Sequence, residues 1–185
     1  MTLGRDTTPG RGAVSQSLRP AEDGAILDQA YPLCHSTAVN ISAKSRYAVR
    51  ALVELADRAE SSPERPVRLS DIADTRDIPA QFLEQLFSAL RRAGFLRSHR
   101  GASGGFSFAR RPEEITVLEV VEALDGLLSP ATCTQGECDR IEGCGAAGVW
   151  IEAKEALEGV LGRTTIAALL ERERRVRERP AMYYI

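Results

Sequence analysis

The chain has 185 residues, of which 43% are hydrophobic and 27% are charged, and its formal net charge is −2. This composition is that of an ordinary soluble domain with appendages. No run approaches the roughly 18 apolar residues that a membrane-spanning helix needs. The first 30 residues also lack the apolar core of a signal peptide, so we expect a cytoplasmic protein without a membrane partner.

Charge is unevenly distributed along the chain. Residues 41–111 carry a net charge of +5, whereas residues 112–162 carry −9. The basic part includes a segment, 85–111, that contains no acidic residue. Its arginines are Arg91, Arg92, Arg97, Arg100, Arg110 and Arg111. A segment of this kind attracts a polyanion, although the net charge of the whole chain is slightly negative.

The first predicted region is an N-terminal extension. Residues 1–40 are rich in Gly, Ser, Thr and Pro and show no sustained apolar period, which predicts disorder. We expect Val39 to be an alternative start of the native chain. Cys34 and His35 would then be absent from it, and for this reason they are assigned no role.

Three helices are predicted next. Apolar residues recur at spacings of three and four after Ser42, which predicts a first helix of about 14 residues. Ser70 is the expected N-cap of a second, short helix. After a tight link, Pro79 is expected in the first turn of a third helix, and Gly94 is the residue expected just beyond its end.

A hairpin follows the third helix. Two strand-like runs, 95–99 and 105–109, are separated by a glycine-rich link. Helix, short helix, tight turn, third helix and hairpin, all within about 70 residues, are the layout of a winged helix-turn-helix. The predicted fold is therefore mainly α with a small β wing.

This layout predicts a double-stranded DNA partner. The N-terminal turn of the third helix would enter the major groove, while arginines of the hairpin would meet phosphates or the minor groove. A glutamine there pairs with adenine, and a glutamate accepts from the cytosine amino group. A merely solvated helix face is the alternative, and the acid-free arginine segment favours DNA. The candidate contacts are Gln81, Glu84, Arg97, Arg100, Gly101 and Gly104.

The C-terminal half is also predicted to be helical. Thr116 and Glu119 form a capping box ahead of a fourth helix that runs to Gly126. Residues 127–147 show no period, and they lead into a fifth helix at 146–162 and a short helix around residues 166–170. The predicted divisions are the extension 1–40, the winged helix-turn-helix domain 41–111, the loop and helix region 112–170, and the charged tail 171–185.

Three cysteines lie in the segment without a period, in the pattern Cys133-x4-Cys138-x5-Cys144. An irregular segment of this length is uncommon in a compact domain unless it has a function. An odd number of thiols argues against structural disulfides, and the spacing differs from the Cys-x2-Cys pairs of zinc ribbons. Thiolates favour iron-sulfur clusters and zinc, and both stay open, as do reduced thiols.

No other feature is typical of catalysis. The chain has no Cys-x2-Cys motif, no phosphate-binding glycine loop and no histidine near an acid-base pair. We therefore expect that the protein is not an enzyme. A thiol oxidoreductase or electron-transfer protein, in which the helix-turn-helix is only a scaffold, is the remote alternative.

Taken together, these motifs closely resemble the IscR/NsrR family of winged-helix transcription regulators. The resemblance lies in ISAKSRYAVRAL (41–52), IPAQFLEQL (78–86), HRGASGGF (99–106) and the cysteine triplet followed by Trp150, and it covers about residues 41–170. It implies a homodimer, paired mainly through the helix at 146–162, on a pseudo-palindromic operator. It also places Gln81, Glu84 and Gln85 at recognition-helix positions and Arg100 at the DNA-contacting position of the wing.

The resemblance further implies a 2Fe-2S or 4Fe-4S cluster held by Cys133, Cys138 and Cys144. The implied protein is a regulator, expected to be a repressor, that senses redox stress, nitric oxide or iron-sulfur status. Its alternative is a zinc-binding or thiol-switch regulator without a cluster. The fourth ligand is unassigned, because Ala147 stands where one branch has a histidine and Arg46 where another uses a partner carboxylate. Asp139, Glu142, a carboxylate of the other subunit and an exogenous thiol all remain open, and Cys34 is a weaker candidate because a start at Val39 would exclude it.

Overall fold

The computed structural model of the chain describes residues 41–63, 65–101, 104–135, 138 and 141–178. The extension predicted at 1–40 and the last residues of the tail lie outside this part of the chain. The elements, in order, are α1 (Ala43–Ser61), α2 (Leu69–Arg76), α3 (Ala80–Arg92), β1 (Leu96–His99), β2 (Gly105–Phe108), α4 (Val117–Asp125), α5 (Ala147–Gly162) and α6 (Ile166–Glu178). The predicted class, mainly α with a small β wing, is confirmed.

Helix α1 is 19 residues long, which is longer than the 14 predicted. It begins where expected, because the Ser42 side chain accepts a hydrogen bond from the Ser45 amide and caps the helix. Its last turns are polar and therefore fall outside the apolar period. They are held by charge, since Asp57 accepts hydrogen bonds from Arg174 of α6 at 2.7 Å, and this bond lowers the pKa of Asp57.

The prediction that Ser70 caps the second helix is wrong. Helix α2 already begins at Leu69 with Arg68 as its N-cap residue. The preceding residue, Val67, is hydrogen-bonded to Phe106 of β2, so extended backbone leads directly into the helix. Asp77, in the left-handed region with φ of 51°, ends α2 and creates the tight link to α3.

Helix α3 carries an apolar stripe along one side. Pro79 is its N-cap residue, one position before the first turn in which it was expected. Gly94, with φ of 83°, follows the C-cap and confirms the predicted end. The fully buried side chains of the stripe are Leu83, Leu86, Phe87 and Leu90, and they pack in one core with residues of α1, α2, β1 and α6.

The wing is an antiparallel hairpin with a third short pairing. Its register pairs Leu96 with Phe108 and His99 with Gly105, which confirms the predicted hairpin. Phe106 also exchanges two backbone hydrogen bonds with Val67, at 2.8 and 2.9 Å. The chain ahead of α2 therefore fastens the wing to the helix-turn-helix.

The C-terminal half follows the prediction closely, with one extension. The capping box of Thr116 and Glu119 is present, and the irregular segment contains two short 3-10 turns, Thr132–Gln135 and Ile141–Gly143. The predicted short last helix continues to Glu178, so the first part of the expected charged tail is helical. Among the described residues, no helix is both long and apolar enough to span a membrane.

Candidate nucleic-acid interface and cysteine loop

The exposed side of α3 carries the predicted base-reading residues. Gln81, Glu84 and Gln85 are all exposed, on the side of the helix away from its buried stripe. Residues three and four apart in a helix lie side by side, so these three side chains form one polar surface. The structure thus brings these three predicted residues together on one exposed side of α3.

Two aromatic contacts hold α3 in place. Phe82 packs edge-on against Tyr47 of α1, with 5.8 Å between ring centroids. Phe87 packs edge-on against Phe106 of the wing, with 5.0 Å between centroids. Edge-to-face pairs of this kind contribute about 0.5–1.5 kcal/mol beyond their buried area. The orientation of α3 is therefore fixed from both sides.

The predicted wing residues surround the tip of the hairpin. Arg97 on β1 and Arg100 just after it are exposed. Gly101 has φ of 104°, which favours glycine, and its carbonyl accepts a hydrogen bond from the Gly104 amide at 2.9 Å. A Cβ on Gly104 would lie 2.6 Å from the His99 carbonyl oxygen. Both glycines are required by the turn itself, whatever contact they make with DNA.

Arg91 and Arg92 belong to the acid-free segment 85–111 and lie in the last turn of α3. In the structure, the Arg91 guanidinium donates to the Ser98 hydroxyl at 3.2 Å and so links α3 to the wing. Arg92 lines a cleft of about 290 Å³ together with Gln85 and Lys44. Arg92 is visible in the acid-free segment, whereas no pattern in the sequence singles out Lys44.

A partly buried carboxylate joins the end of α4 to the start of α1. Asp125 accepts hydrogen bonds from the Ser42 amide at 2.9 Å and from the hydroxyls of Ser42 and Ser45, each at 2.7 Å. Lys44 lies 3.4 Å away as an ion pair. Burial alone would raise the pKa of Asp125, but these hydrogen bonds outweigh it and lower the pKa. The residue just before the cysteine loop is thus an anchored anion.

The cysteine loop, residues 127–146, is held by hydrogen bonds of its own. The Thr134 hydroxyl donates to the Ala131 carbonyl at 2.7 Å, and the Lys154 ammonium of α5 donates to the Thr134 carbonyl at 3.4 Å. Cys133 and Cys138 are partly buried, whereas Cys144 is exposed. All three cysteines are free thiols on one loop that is tied to α5.

The fit of this loop to an iron-sulfur cluster is partial. Three thiolates are the ligands that such clusters prefer. However, the described residues contain no gathered group of three or more His, Cys, Asp or Glu side chains that could hold a metal ion. Ala147 is buried and offers no ligand, while Asp139 lies outside the described residues. The three thiols are therefore chemically suited to hold a cluster. However, their side chains are not gathered into an assembled site among the described residues.

Known proteins share both the sequence and the fold. Residues 41–172 match the Rrf2 family, described as an iron-dependent transcriptional regulator. Protein rrf2 of Nitratidesulfovibrio vulgaris is 34% identical over 134 residues, which cover 71% of this chain and 87% of that protein.

Two solved structures are similar to this chain. The structure of CymR, the global cysteine regulator of B. subtilis, is 34% identical with a TM-score of 0.59, and covers 71% of this chain and 96% of its own. IscR of T. potens is 32% identical with a TM-score of 0.62, and covers 79% and 96%. These relatives are regulators and not enzymes. The chain is therefore a member of the Rrf2 family of transcriptional regulators.

Proposed function

We propose that this Rrf2-family regulator binds a pseudo-palindromic operator as a homodimer and represses transcription by occupying it. One observation carries the proposal: the exposed polar surface of α3, formed by Gln81, Glu84 and Gln85, lies beside a wing with exposed arginines. The surface supplies base-edge donors and acceptors, and the arginines supply phosphate or minor-groove contacts. A two-fold dimer would present one such surface to each half-site.

Helix α5 is the surface that we assign to dimerisation. Val149, Trp150 and Val160 are 60%, 44% and 47% exposed, although each is a large apolar side chain. Exposed apolar residues along one helix are typical of a protein-protein interface. A second copy of the same helix would bury them in an isologous contact.

Arg100→Ala tests the DNA interface. We expect weaker binding to most duplexes and a salt dependence whose log-log slope falls by about one, because a phosphate or minor-groove contact is lost. Fluorescence anisotropy at several salt concentrations measures both quantities. Arg175→Ala is the matched control, because Arg175 is also exposed but lies on α6. Equal slopes and affinities in the two variants would contradict the assignment of the wing.

We also propose that the cysteine loop is the sensor and that Cys133, Cys138 and Cys144 hold an iron-sulfur cluster. A bound cluster would supply a centre sensitive to redox state and nitric oxide. The three thiols and the iron-dependent character of the family support this proposal. The chain itself contributes a loop joined to α5 by Lys154 and preceded by the anchored Asp125. A change of loop conformation can thus reach both α5 and the start of α1.

A thiol switch or a zinc site is the second candidate for the same loop. Two observations favour a metal-free switch: the described thiols are not gathered around a common point, and the chain is similar to a global cysteine regulator. Exposed Cys144 is accessible to an oxidant, whereas Cys133 and Cys138 are partly buried. Oxidation would then change the loop directly.

Anaerobic purification and metal analysis distinguish the candidates. With a cluster we expect iron, acid-labile sulfide and thiolate-to-iron absorption at roughly 300–450 nm. Cys138→Ala should lose this absorption and the response of DNA affinity to it, while Ile141→Ala, at an exposed position of the same loop whose side chain has no ligand atom, should retain both. Zinc without sulfide would support the zinc site. Metal-free protein whose DNA affinity follows thiol oxidation would establish the switch and overturn the cluster.

A further inference from the structure

A partly buried ionic cluster lies where three helices meet. Its members are Glu54 of α1, Arg76 at the end of α2 and Glu173 of α6, and we name them the Arg76 bridge. The side chains of Glu54 and Arg76 are only 5% and 10% exposed, and that of Glu173 is 33% exposed. This cluster is remote from the cysteine loop in sequence and has no part in the sensing proposed above.

The geometry of the bridge uses the whole guanidinium. Its Nη1 and Nη2 atoms donate to the two oxygens of Glu173 at 3.0 and 2.8 Å, while Nε donates to Glu54 at 2.9 Å. The other oxygen of Glu54 accepts from Arg58 at 2.7 Å. A bidentate pair fixes both the distance and the plane of its partners. Arg76 is therefore held in one orientation by two helices.

The ion pairs of the Arg76 bridge are better explained by the orientation that they impose on their residues than by a contribution to the stability of the fold. Removing charges from water is costly, and a well-packed apolar substitute is often as stable as a buried ion pair. Burial alone would lower the pKa of Arg76, but its hydrogen bonds and ion pairs with Glu173 and Glu54 raise it on balance, so the guanidinium stays charged. What the charges provide that an apolar contact lacks is a directional constraint.

The constraint acts at the turn between α2 and α3, the two helices of the helix-turn-helix. Arg76 is the last residue of α2, and the recognition helix begins four residues later, at Ala80. The Arg76 carbonyl also accepts a hydrogen bond from Arg50 at 3.2 Å. Because the connection is so short, a displacement of Arg76 moves the first turn of α3, which contains Gln81.

We propose that Glu173 is a positioning residue for DNA recognition: through Arg76 it fixes the turn from α2 to α3, so that the C-terminal helix sets the orientation of the recognition helix. Helix α6 is itself anchored to the core, because the Ile166 amide donates to the Ile115 carbonyl at 2.9 Å. The inference rests on the proposed reading of DNA by α3.

Glu173→Gln tests the proposal, with Glu171→Gln as the matched control. Both changes remove one negative charge from α6, and Glu171 is 56% exposed with only a 3.6 Å ion pair to Arg174. Two duplexes serve as probes: one that the wild-type protein selects from a random library, and a shuffled duplex of the same composition. Affinities come from anisotropy, and the folded fraction of each variant comes from urea denaturation.

We expect Glu173→Gln to bind the selected duplex at least about 5-fold more weakly, the lower end of typical coupling between sites. Its affinity for the shuffled duplex should be unchanged or higher, because loss of a negative charge favours non-specific DNA binding. Glu171→Gln should show no selective loss. Arg76→Lys keeps the charge but not the bidentate geometry, and it should reproduce the loss.

Three results would overturn the proposal. The first is an equal affinity of the two glutamine variants for the selected duplex. The second is a loss that falls equally on both duplexes and follows the folded fraction, because a merely structural role predicts this. The third is equal amide hydrogen exchange at residues 77–81 in both variants.

If the wild-type protein selects no duplex, the proposed function fails, and faster exchange in Glu173→Gln alone would still support the positioning role.

Discussion

Replacement of Phe87 by alanine is expected to lower the free energy of unfolding by about 3–5 kcal/mol, the usual range for a buried aromatic side chain. Phe87 is fully buried, and its ring lies edge-on to Phe106. The loss is large because one side chain joins α3 to the wing, so its removal opens a cavity between the two elements of the proposed DNA interface. Urea denaturation followed by circular dichroism measures this effect.

Phe82→Ala is the control on the same helix. Phe82 is half-buried and packs against Tyr47 at 5.8 Å, so its removal leaves a shallower gap. We expect a smaller loss of stability than for Phe87→Ala, since the cost of such a change follows the cavity that remains. Equal losses of unfolding free energy in the two variants would show that the contact between α3 and the wing stabilises the protein no more than the contact between α3 and α1.

The second large effect is expected for Gly105→Ala. A Cβ at this position would overlap the Val67 carbonyl oxygen and lie 2.7 Å from its carbonyl carbon. Since these are backbone atoms, the clash is relieved only if Val67 separates from the wing. We expect a loss of about 1–3 kcal/mol, as for other overpacked sites, together with weaker DNA binding because the wing loses its attachment.

Gly148→Ala is the matched control for this change. A Cβ on Gly148 meets no atom within 4 Å, and the residue lies in α5. Alanine is favoured over glycine in a helix by about 1 kcal/mol, so this variant should be as stable as the wild type or more stable. Unchanged stability and DNA affinity of Gly105→Ala would rule out the bridge to Val67 as the attachment of the wing.

The winged helix-turn-helix and the start of α4 could be predicted because their signals are local. The stripe of α3, the capping box at Thr116 and the glycine at position 94 each depend on residues only a few positions apart. Spacing alone reveals such features. The exposed residues Gln81 and Glu84 follow from the same stripe, since they lie on its opposite side.

The features that could not be predicted depend on distant partners. The length of α1 and the helical state of residues 171–178 both rest on pairs such as Asp57 with Arg174, which are 117 positions apart. The Arg76 bridge joins residues 97 positions apart. A charged segment without an apolar period resembles a solvated tail until its partners are known. The wrong prediction of the N-cap of α2 has the same cause, because the chain just before this helix is positioned by the pairing of Val67 with the wing.

The cysteine loop lies between these two cases. Its ligand types and their order are visible in the sequence, and they predict sensing chemistry. A fourth ligand for the proposed cluster is not visible, because a ligand from another element or subunit depends on how these pack. The hydrogen bond between Lys154 and Thr134 is a similar case, since it joins two elements and no local sequence pattern predicts it.

The antiparallel bridge between Thr116 and Thr165 closes the base of a long excursion of the chain. The Val117 amide donates to the Thr164 carbonyl at 2.8 Å. The chain therefore leaves the winged helix-turn-helix after Thr116 and returns to the same point at Thr165. Closing a loop costs only about 0.6 kcal/mol more for each doubling of its length. The segment between these two points can therefore change in length at little cost in closure entropy, and the winged helix-turn-helix from which it starts need not be rebuilt.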